Sequence, residues 1–137
     1  IHQAGERDYD RVKQKYEELG IEAELYAFTK EMPSLMSKAD LAVSRSGAST
    51  LWELCANGLP ALFIPFPHAA SDHQYHNAQF IVQNEMGWCE REGEGLREKL
   101  IGLLDEDMSK KSSALMEHSS RDVAKMMILA AYRVVND

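Results

Sequence analysis

A carboxylate follows a run of small residues in the segment SRSGASTLWELCANGLP, which spans positions 44–60. Glu53 lies three residues after Thr50 and four after Ser49. This spacing fits a capping box, in which a glutamate side chain reaches back to the amide of the helix N-cap residue. It also fits a carboxylate that accepts hydrogen bonds from the adjacent hydroxyls of a ribose, as in nucleotide-binding α/β folds. Spacing alone favours the cap and leaves the ribose contact open.

The small residues before this carboxylate suggest a ligand contact in the same turn. Ser46, Gly47, Ala48 and Ser49 connect an apolar strand to the helix, and their small side chains let a ligand approach the backbone. N–H groups at a helix start, together with the helix dipole, attract phosphate and other anions. The alternative is an ordinary connecting loop in which Ser49 or Thr50 caps the helix. The pattern predicts either an anion site or such a cap.

A second polar cluster lies in the segment PHAASDHQYHNAQ, which spans positions 67–79. Its residue types can bind zinc, but on a helix His73 points away from the face shared by Asp72 and His76, so no metal site is predicted. We expect instead that His73, Gln74 and Asn77 offer donors and acceptors to a polyhydroxyl ligand. The alternative is a solvated helix start. Because the chain has no glycine-rich dinucleotide motif, no P-loop and no recognisable nucleophile, no cofactor is predicted.

The elements that must position these residues alternate between helix and strand. Periodicity predicts helices at 8–19, around Pro33, and at 49–57, 72–85, 96–104, 108–116 and 122–135, with strands at 21–28, 41–44, 61–66 and 87–91. Such alternation predicts an α/β fold with a doubly wound parallel sheet. In open sheets of this kind ligands bind beyond the carboxyl ends of the strands. The small-residue turn and the polar cluster both follow predicted strands.

Composition narrows the classes of protein and of partner. The chain has 137 residues, about one domain, and its net charge of −7 gives no electrostatic footprint for nucleic acid. Anionic lipid headgroups would repel such a surface. Cys55 and Cys89 are too few and too far apart for a zinc site, so they are predicted to be reduced packing residues of a cytosolic protein. The start at Ile1, without an initiator methionine, suggests a piece of a longer chain.

A long block of sequence resembles a known family. The stretch SRSGASTLWELCANGLPALFIPFPHAASDHQYHNA, with IHQAG at the start and FTKEM at 28–32, is similar to the donor-binding half of the MurG family of peptidoglycan glycosyltransferases. The resemblance implies the Rossmann-like C-terminal half of a two-domain GT-B enzyme. Residues 1–137 would then be a single partial donor-binding domain that lacks its first strand, glycine-rich turn and helix. The N-terminal acceptor domain would be absent.

The resemblance also implies roles for particular residues. Phe28 would cover a uracil ring, the backbone of Thr29 would read its edge, and Glu53 would bind the ribose hydroxyls. The backbone from Gly47 to Thr50 would face the diphosphate, and His73 and Gln74 would contact the sugar. The complete substrate-binding set is Phe28, Thr29, Ser46, Gly47, Ala48, Ser49, Thr50, Glu53, His73, Gln74 and Asn77.

For function, the resemblance implies an inverting transfer of N-acetylglucosamine from UDP-GlcNAc to lipid I, which forms lipid II in cell-wall biogenesis. The catalytic base would lie in the missing domain, as would the membrane-binding and lipid I sites, so this piece alone would be inactive. The enzyme would be peripheral, on the cytoplasmic side of the bacterial inner membrane, and the truncated domain could self-associate. The alternatives are another UDP-sugar GT-B transferase or epimerase, or a non-catalytic doubly wound binding module.

Overall fold

The protein was analysed as a computed structural model that describes residues 1–67 and 72–119. The chain divides into two compact units, the first formed by Ile1–Lys38 and the second beginning at Ala39. The predicted helix at 122–135 lies outside the described residues.

The first unit contains one pair of parallel strands and two helices. Its elements are β1 (His2–Gln3), α1 (Tyr9–Glu18), β2 (Leu25–Tyr26) and α2 (Met32–Met36). β1 pairs with β2 in the register His2 to Leu25. The strand predicted at 21–28 is much shorter than expected, because positions 21–24 are exposed and only two residues pair. Leu19, the last residue of the helix predicted at 8–19, is 58% exposed at the end of α1.

The second unit contains a three-stranded parallel sheet. Its elements are β3 (Ala42–Ser44), α3 (Ala48–Ala56), β4 (Ala61–Phe63), α4 (His73–Gln83), β5 (Trp88–Cys89), α5 (Leu96–Leu103) and α6 (Ser109–Ser119). The strand order is β3-β4-β5, and both pairings are parallel. Ser44 is in register with Phe63, and Phe63 is in register with Cys89. The three carboxyl ends are therefore side by side, as the alternating pattern predicts.

The core of this unit surrounds the central strand. All three residues of β4 are buried, with Leu62 fully inaccessible, as expected for an apolar strand covered on both faces. α3 contributes Leu51, Leu54 and Cys55, and α4 contributes Ala78 and Ile81. Val82 of α4 is 37% exposed, so it lies outside the buried face of this helix. Among the described helices, none combines the length and the apolar character needed to cross a membrane.

The buried thiol of Cys55 is expected to resist alkylation in the native protein. Cys55 is a free cysteine, and burial raises its pKa to about 11. Because the thiolate is the nucleophile, roughly one thousandth of the thiol is reactive at pH 8. We expect iodoacetamide at pH 8 to label Cys55 only after denaturation in urea, as measured by mass spectrometry of the digested protein. Rapid labelling of Cys55 in the native state would contradict this burial.

Candidate functional site

The carboxyl edge of the three-stranded sheet carries the turns that precede α3 and α4. β3 leads through residues 45–47 into α3, and β4 leads towards α4. Both helices therefore begin beyond the carboxyl ends of parallel strands, where ligands bind in open α/β sheets. This edge contains the predicted site residues of the second unit.

The start of α3 leaves backbone donors available. Gly47 is the N-cap residue, with an extended backbone (φ −66°, ψ 147°), and no side chain caps the helix. Its carbonyl accepts a hydrogen bond from the Leu51 amide at 3.0 Å. The amides of Ala48, Ser49 and Thr50 precede the first intrahelical donor, and no described residue accepts a hydrogen bond from them. Three N–H groups at the positive end of a nine-residue helix therefore have no hydrogen-bond partner in the described part of the chain.

The capping-box interpretation of Glu53 is wrong. Thr50 is the third residue of α3 rather than its N-cap, so Glu53 is the sixth, too far along for that motif. The Glu53 side chain is exposed and accepts no hydrogen bond from the part of the chain that the structure describes. Ser49 and Thr50 lie four and three residues earlier, on the same helix face. The Cα atom of Glu53 is thus about 7.5 Å along the axis from that of the first helical residue, and its side chain tilts back towards the helix start.

Hydrogen bonds join the turn before α3 to the first turns of α4. Ser46 is fully buried, and its hydroxyl donates to the Gln74 carbonyl oxygen at 2.7 Å. Asn77 Nδ2 donates to the Ser46 carbonyl oxygen at 3.0 Å. The sequence suggested ligand contacts for both residues. In this structure the Ser46 hydroxyl and the Asn77 amide group hold the two helix starts together.

Gln74 and His73 lie at the first turn of α4. Gln74 Oε1 accepts a hydrogen bond from the Phe66 amide at 2.9 Å, which fixes the segment after β4. No described residue accepts a hydrogen bond from Gln74 Nε2, so this donor is available to a ligand. His73 is exposed as the first residue of the helix. The two side chains offer polar groups at the sheet edge, as the sequence predicts.

Arg45, within the SRSG motif, makes contacts that the sequence analysis missed. Its Nη1 donates to the carbonyl oxygens of Ile64 at 3.1 Å and Pro65 at 3.3 Å. Its Nη2 lies 2.6 Å from Glu92 Oε1, and the guanidinium lies 5.5 Å from the centre of the Phe66 ring. The arginine thus connects the segments that follow all three strands. The position of Arg45 within the SRSG motif indicated that it lies near the site. Its partners could not be predicted from local spacing, because they lie 19 to 47 residues further along the chain.

A second arginine braces the start of α4. Arg91 Nη2 lies 2.9 Å from Asp72 Oδ2, and its guanidinium lies 4.2 Å from the centre of the Tyr75 ring. The hydrogen bond that Arg91 donates to the Asp72 carboxylate raises the pKa of Arg91 above its ordinary value, so the arginine stays charged. Asp72 is the N-cap residue of α4 and has a left-handed backbone, with φ 53°. No sequence motif indicated this contact.

Phe28 and Thr29 belong to the first unit, in the segment after β2. Phe28 is 66% exposed, which is unusual for so large an apolar ring. The Thr29 amide donates to Gln3 Oε1 at 3.2 Å, and its hydroxyl oxygen accepts from the Glu31 amide at 3.0 Å. The Thr29 carbonyl oxygen accepts no hydrogen bond from any described residue. A base could therefore stack on Phe28 and donate to that carbonyl.

No cluster of three or more His, Cys, Asp or Glu side chains is arranged to hold a metal ion within the described ranges 1–67 and 72–119. His68, which belongs to the polar segment at 67–79, lies outside those ranges.

Solved structures identify the class of fold. The crystal structure of MurG from Acinetobacter baumannii matches with a TM-score of 0.79 over 96% of this chain and 42% of that one, at 22% identity. The glycosyltransferase of kitacinnamycin matches with a TM-score of 0.59 over 70% of this chain and 24% of that one, at 19% identity. The fold is that of the Rossmann-like half of a GT-B glycosyltransferase, as the sequence predicts.

Sequence comparisons identify the family. The model of the glycosyltransferase family 28 C-terminal domain matches residues 1–131, and the chain belongs to this family. Relatives from Sulfurimonas denitrificans, Wolinella succinogenes and Campylobacter jejuni are 75%, 53% and 40% identical over 93%, 93% and 96% of the chain. Each is named a UDP-N-acetylglucosamine–N-acetylmuramyl-(pentapeptide) pyrophosphoryl-undecaprenol N-acetylglucosamine transferase. The chain spans about 38% of the Sulfurimonas and Wolinella relatives and 39% of the Campylobacter one.

Proposed function

We propose that this chain is the donor-binding part of an inverting glycosyltransferase that moves N-acetylglucosamine from UDP-GlcNAc to lipid I. The observation that carries the proposal is the start of α3. There three amides precede the Glu53 carboxylate, and neither the amides nor the carboxylate has a hydrogen-bond partner among the described residues. Amides at a helix start suit a diphosphate, and a carboxylate beyond them suits a ribose. The names of relatives as similar as 75% identical supply the sugar and the acceptor.

In this proposal the chain's residues bind the donor and stabilise its departing group. The α3 amides and the helix dipole offset the negative charge that develops on UDP as the glycosidic bond breaks. Glu53 accepts hydrogen bonds from the ribose, Phe28 covers the uracil, and the Thr29 carbonyl accepts from the edge of that base. Gln74 Nε2 and His73 contact the sugar, while Ser46 and Asn77 hold the two helix starts at the correct spacing. The attacking hydroxyl loses its proton to a base outside the donor site.

The same proposal extends to the longer protein. Residues 1–137 form one donor-binding domain, and a second domain binds lipid I and supplies the base. The enzyme acts in peptidoglycan synthesis, peripherally on the cytoplasmic face of the inner membrane, where its lipid acceptor is found. The chain covers about 38% of the length of its relatives, and the remaining length of those proteins is enough for such a domain.

The proposal is tested by measuring donor binding and transfer with the full-length protein. We expect isothermal titration to detect UDP and UDP-GlcNAc and to give weaker binding for UDP-glucose. Transfer of labelled N-acetylglucosamine to lipid I should depend on both substrates. Preference for another UDP-sugar would indicate a different GT-B transferase, and interconversion of UDP-sugars without acceptor would indicate an epimerase. Absence of any UDP binding would leave a non-catalytic binding module.

Gly47→Ala is expected to weaken UDP binding without harming the fold. A Cβ atom at Gly47 would meet no protein atom within 4 Å, and its φ of −66° suits any residue. The methyl group would instead fill space through which the diphosphate approaches the backbone. We expect about tenfold weaker UDP binding, equivalent to about 1.4 kcal/mol, by isothermal titration of the full-length protein.

The matched control for this change is Gly95→Ala, since Gly95 is the N-cap of α5 and also has open space at Cβ. Both variants should stay folded and melt below the wild type by a similar few degrees, because alanine is a poorer N-cap than glycine at either position. Unchanged UDP affinity in Gly47→Ala would place the diphosphate elsewhere.

A further inference from the structure

Two oppositely charged residues after β5 reach both turns that begin the site's helices. Glu92 Oε1 lies 2.6 Å from Nη2 of Arg45, in the turn before α3. Arg91 Nη2 lies 2.9 Å from Oδ2 of Asp72, the N-cap of α4. The pair Arg91–Glu92 therefore connects the carboxyl end of β5 to the start of each helix.

Additional contacts distinguish these ion pairs from isolated ones. Exposed ion pairs contribute little when two long side chains must be ordered for a single contact. Arg45 is already fixed by the carbonyl oxygens of Ile64 and Pro65, and Arg91 by the face of the Tyr75 ring. A planar guanidinium held by several partners loses less freedom for each further hydrogen bond that it makes. Glu92 and Asp72 thus bind cations that are already oriented.

The backbone of Asp72 gives the Arg91 contact a specific consequence. A left-handed conformation is uncommon for residues other than glycine, and here it sets the direction in which α4 begins. The ion pair with Arg91 restrains the carboxylate of that residue. The next residues, His73 and Gln74, depend on the same turn for their orientation.

We propose that Arg91 and Glu92 are positioning residues for a nucleoside diphosphate sugar, holding the α3 amides and the first turn of α4 in one fixed arrangement. The inference rests on the proposed function, because the ligand is the donor assigned there. In this role neither residue touches the donor. Each acts through a partner, Glu92 through Arg45 and Arg91 through Asp72.

The sign of one substitution separates positioning from simple electrostatics. Glu92 carries a negative charge near a site for an anion, so its removal would strengthen binding if charge alone mattered. Loss of positioning would weaken binding instead. Glu92→Gln preserves the size of the side chain and removes its charge. Simple electrostatics therefore predicts tighter UDP binding for this variant, whereas loss of positioning predicts weaker binding.

The experiment measures UDP affinity and donor kinetics in the full-length protein. We expect Glu92→Gln and Arg91→Gln each to weaken UDP binding and raise the KM for UDP-GlcNAc by about three- to fivefold. The kcat should stay within about twofold, because neither group meets the reacting atoms. Glu94→Gln is the matched control, since Glu94 is an exposed neighbour that forms no ion pair with the described residues. Tighter or unchanged binding in Glu92→Gln would overturn the proposal.

Amide hydrogen exchange without ligand tests the positioning itself. We expect Glu92→Gln to speed exchange across residues 51–54, where hydrogen bonding in α3 begins, and Arg91→Gln to speed it across 77–80, where hydrogen bonding in α4 begins, with Glu94→Gln like the wild type. Unchanged exchange in both segments would overturn the positioning role, whatever the UDP result. A wild-type protein that binds no UDP, with exchange altered as expected, would overturn the proposed function and leave the structural role standing.

Discussion

Glu53→Gln is expected to weaken UDP-GlcNAc binding by about 1.5–3 kcal/mol, which corresponds to about ten- to 150-fold in Kd. The change removes the charge from a carboxylate that no described residue engages, while the side chain keeps its size. Hydrogen bonds from two ribose hydroxyls to a charged acceptor are stronger than those to a neutral amide. Isothermal titration of the full-length protein against UDP and UDP-GlcNAc measures the loss.

The structure allows this experiment to separate a loss of binding from a loss of stability, which the sequence alone does not. A capping glutamate would lower stability when changed, but Glu53 caps nothing, so the melting temperature should stay near that of the wild type. Glu98→Gln, on the exposed surface of α5, makes the same charge change as a control and should leave affinity unchanged. Equal affinity in Glu53→Gln and wild type would remove Glu53 from the donor site. A large loss of stability would instead assign it a structural role.

The sequence predicts the elements of the second unit because their signals are local. The apolar run from Ala61 predicts a strand covered on both faces, and β4 is buried throughout. The alternation of strand and helix predicts the parallel order, which fixes where the strand ends meet. The strand predicted at 21–28 from its alternating pattern agrees less well, since only two of its residues pair with a neighbouring strand. Alternation indicates which residues suit a strand, but pairing also needs a partner of matching length.

The sequence predicted which polar residues lie near the sheet edge but not the hydrogen bonds among them. Ser46 and Asn77 were predicted as ligand contacts, and their hydrogen bonds in the structure join positions 28 and 31 residues apart in the chain. No local pattern carries such a contact, because it depends on how two loops meet at the sheet edge. The N-cap of α3 was predicted at Ser49 or Thr50, but the structure has Gly47. Several neighbouring small residues each suit an N-cap, so the sequence alone could not distinguish them.

Gly87→Ala is expected to lower the free energy of unfolding by about 3 kcal/mol, at the upper end of the usual cost of overpacking. A Cβ atom at Gly87 would lie 2.8 Å from the Ala61 carbonyl oxygen and 2.9 Å from Ile81 Cγ2. The Ile81 side chain can rotate, but the carbonyl belongs to the central strand, which is paired on both sides. Relief therefore requires β4 and the segment before β5 to separate.

This separation should reach the proposed donor site, since Arg91 and Glu92 lie two and three residues after the end of β5. We expect Gly87→Ala to lower the urea and thermal midpoints of the full-length protein and to weaken UDP binding together with them. Gly93→Ala, with nothing within 4 Å of the added atom, should change neither. If Gly87→Ala were as stable as the wild type, β4 and β5 would tolerate a wider spacing. Weaker UDP binding by such a stable variant would show that the spacing of the two strands orients the starts of α3 and α4.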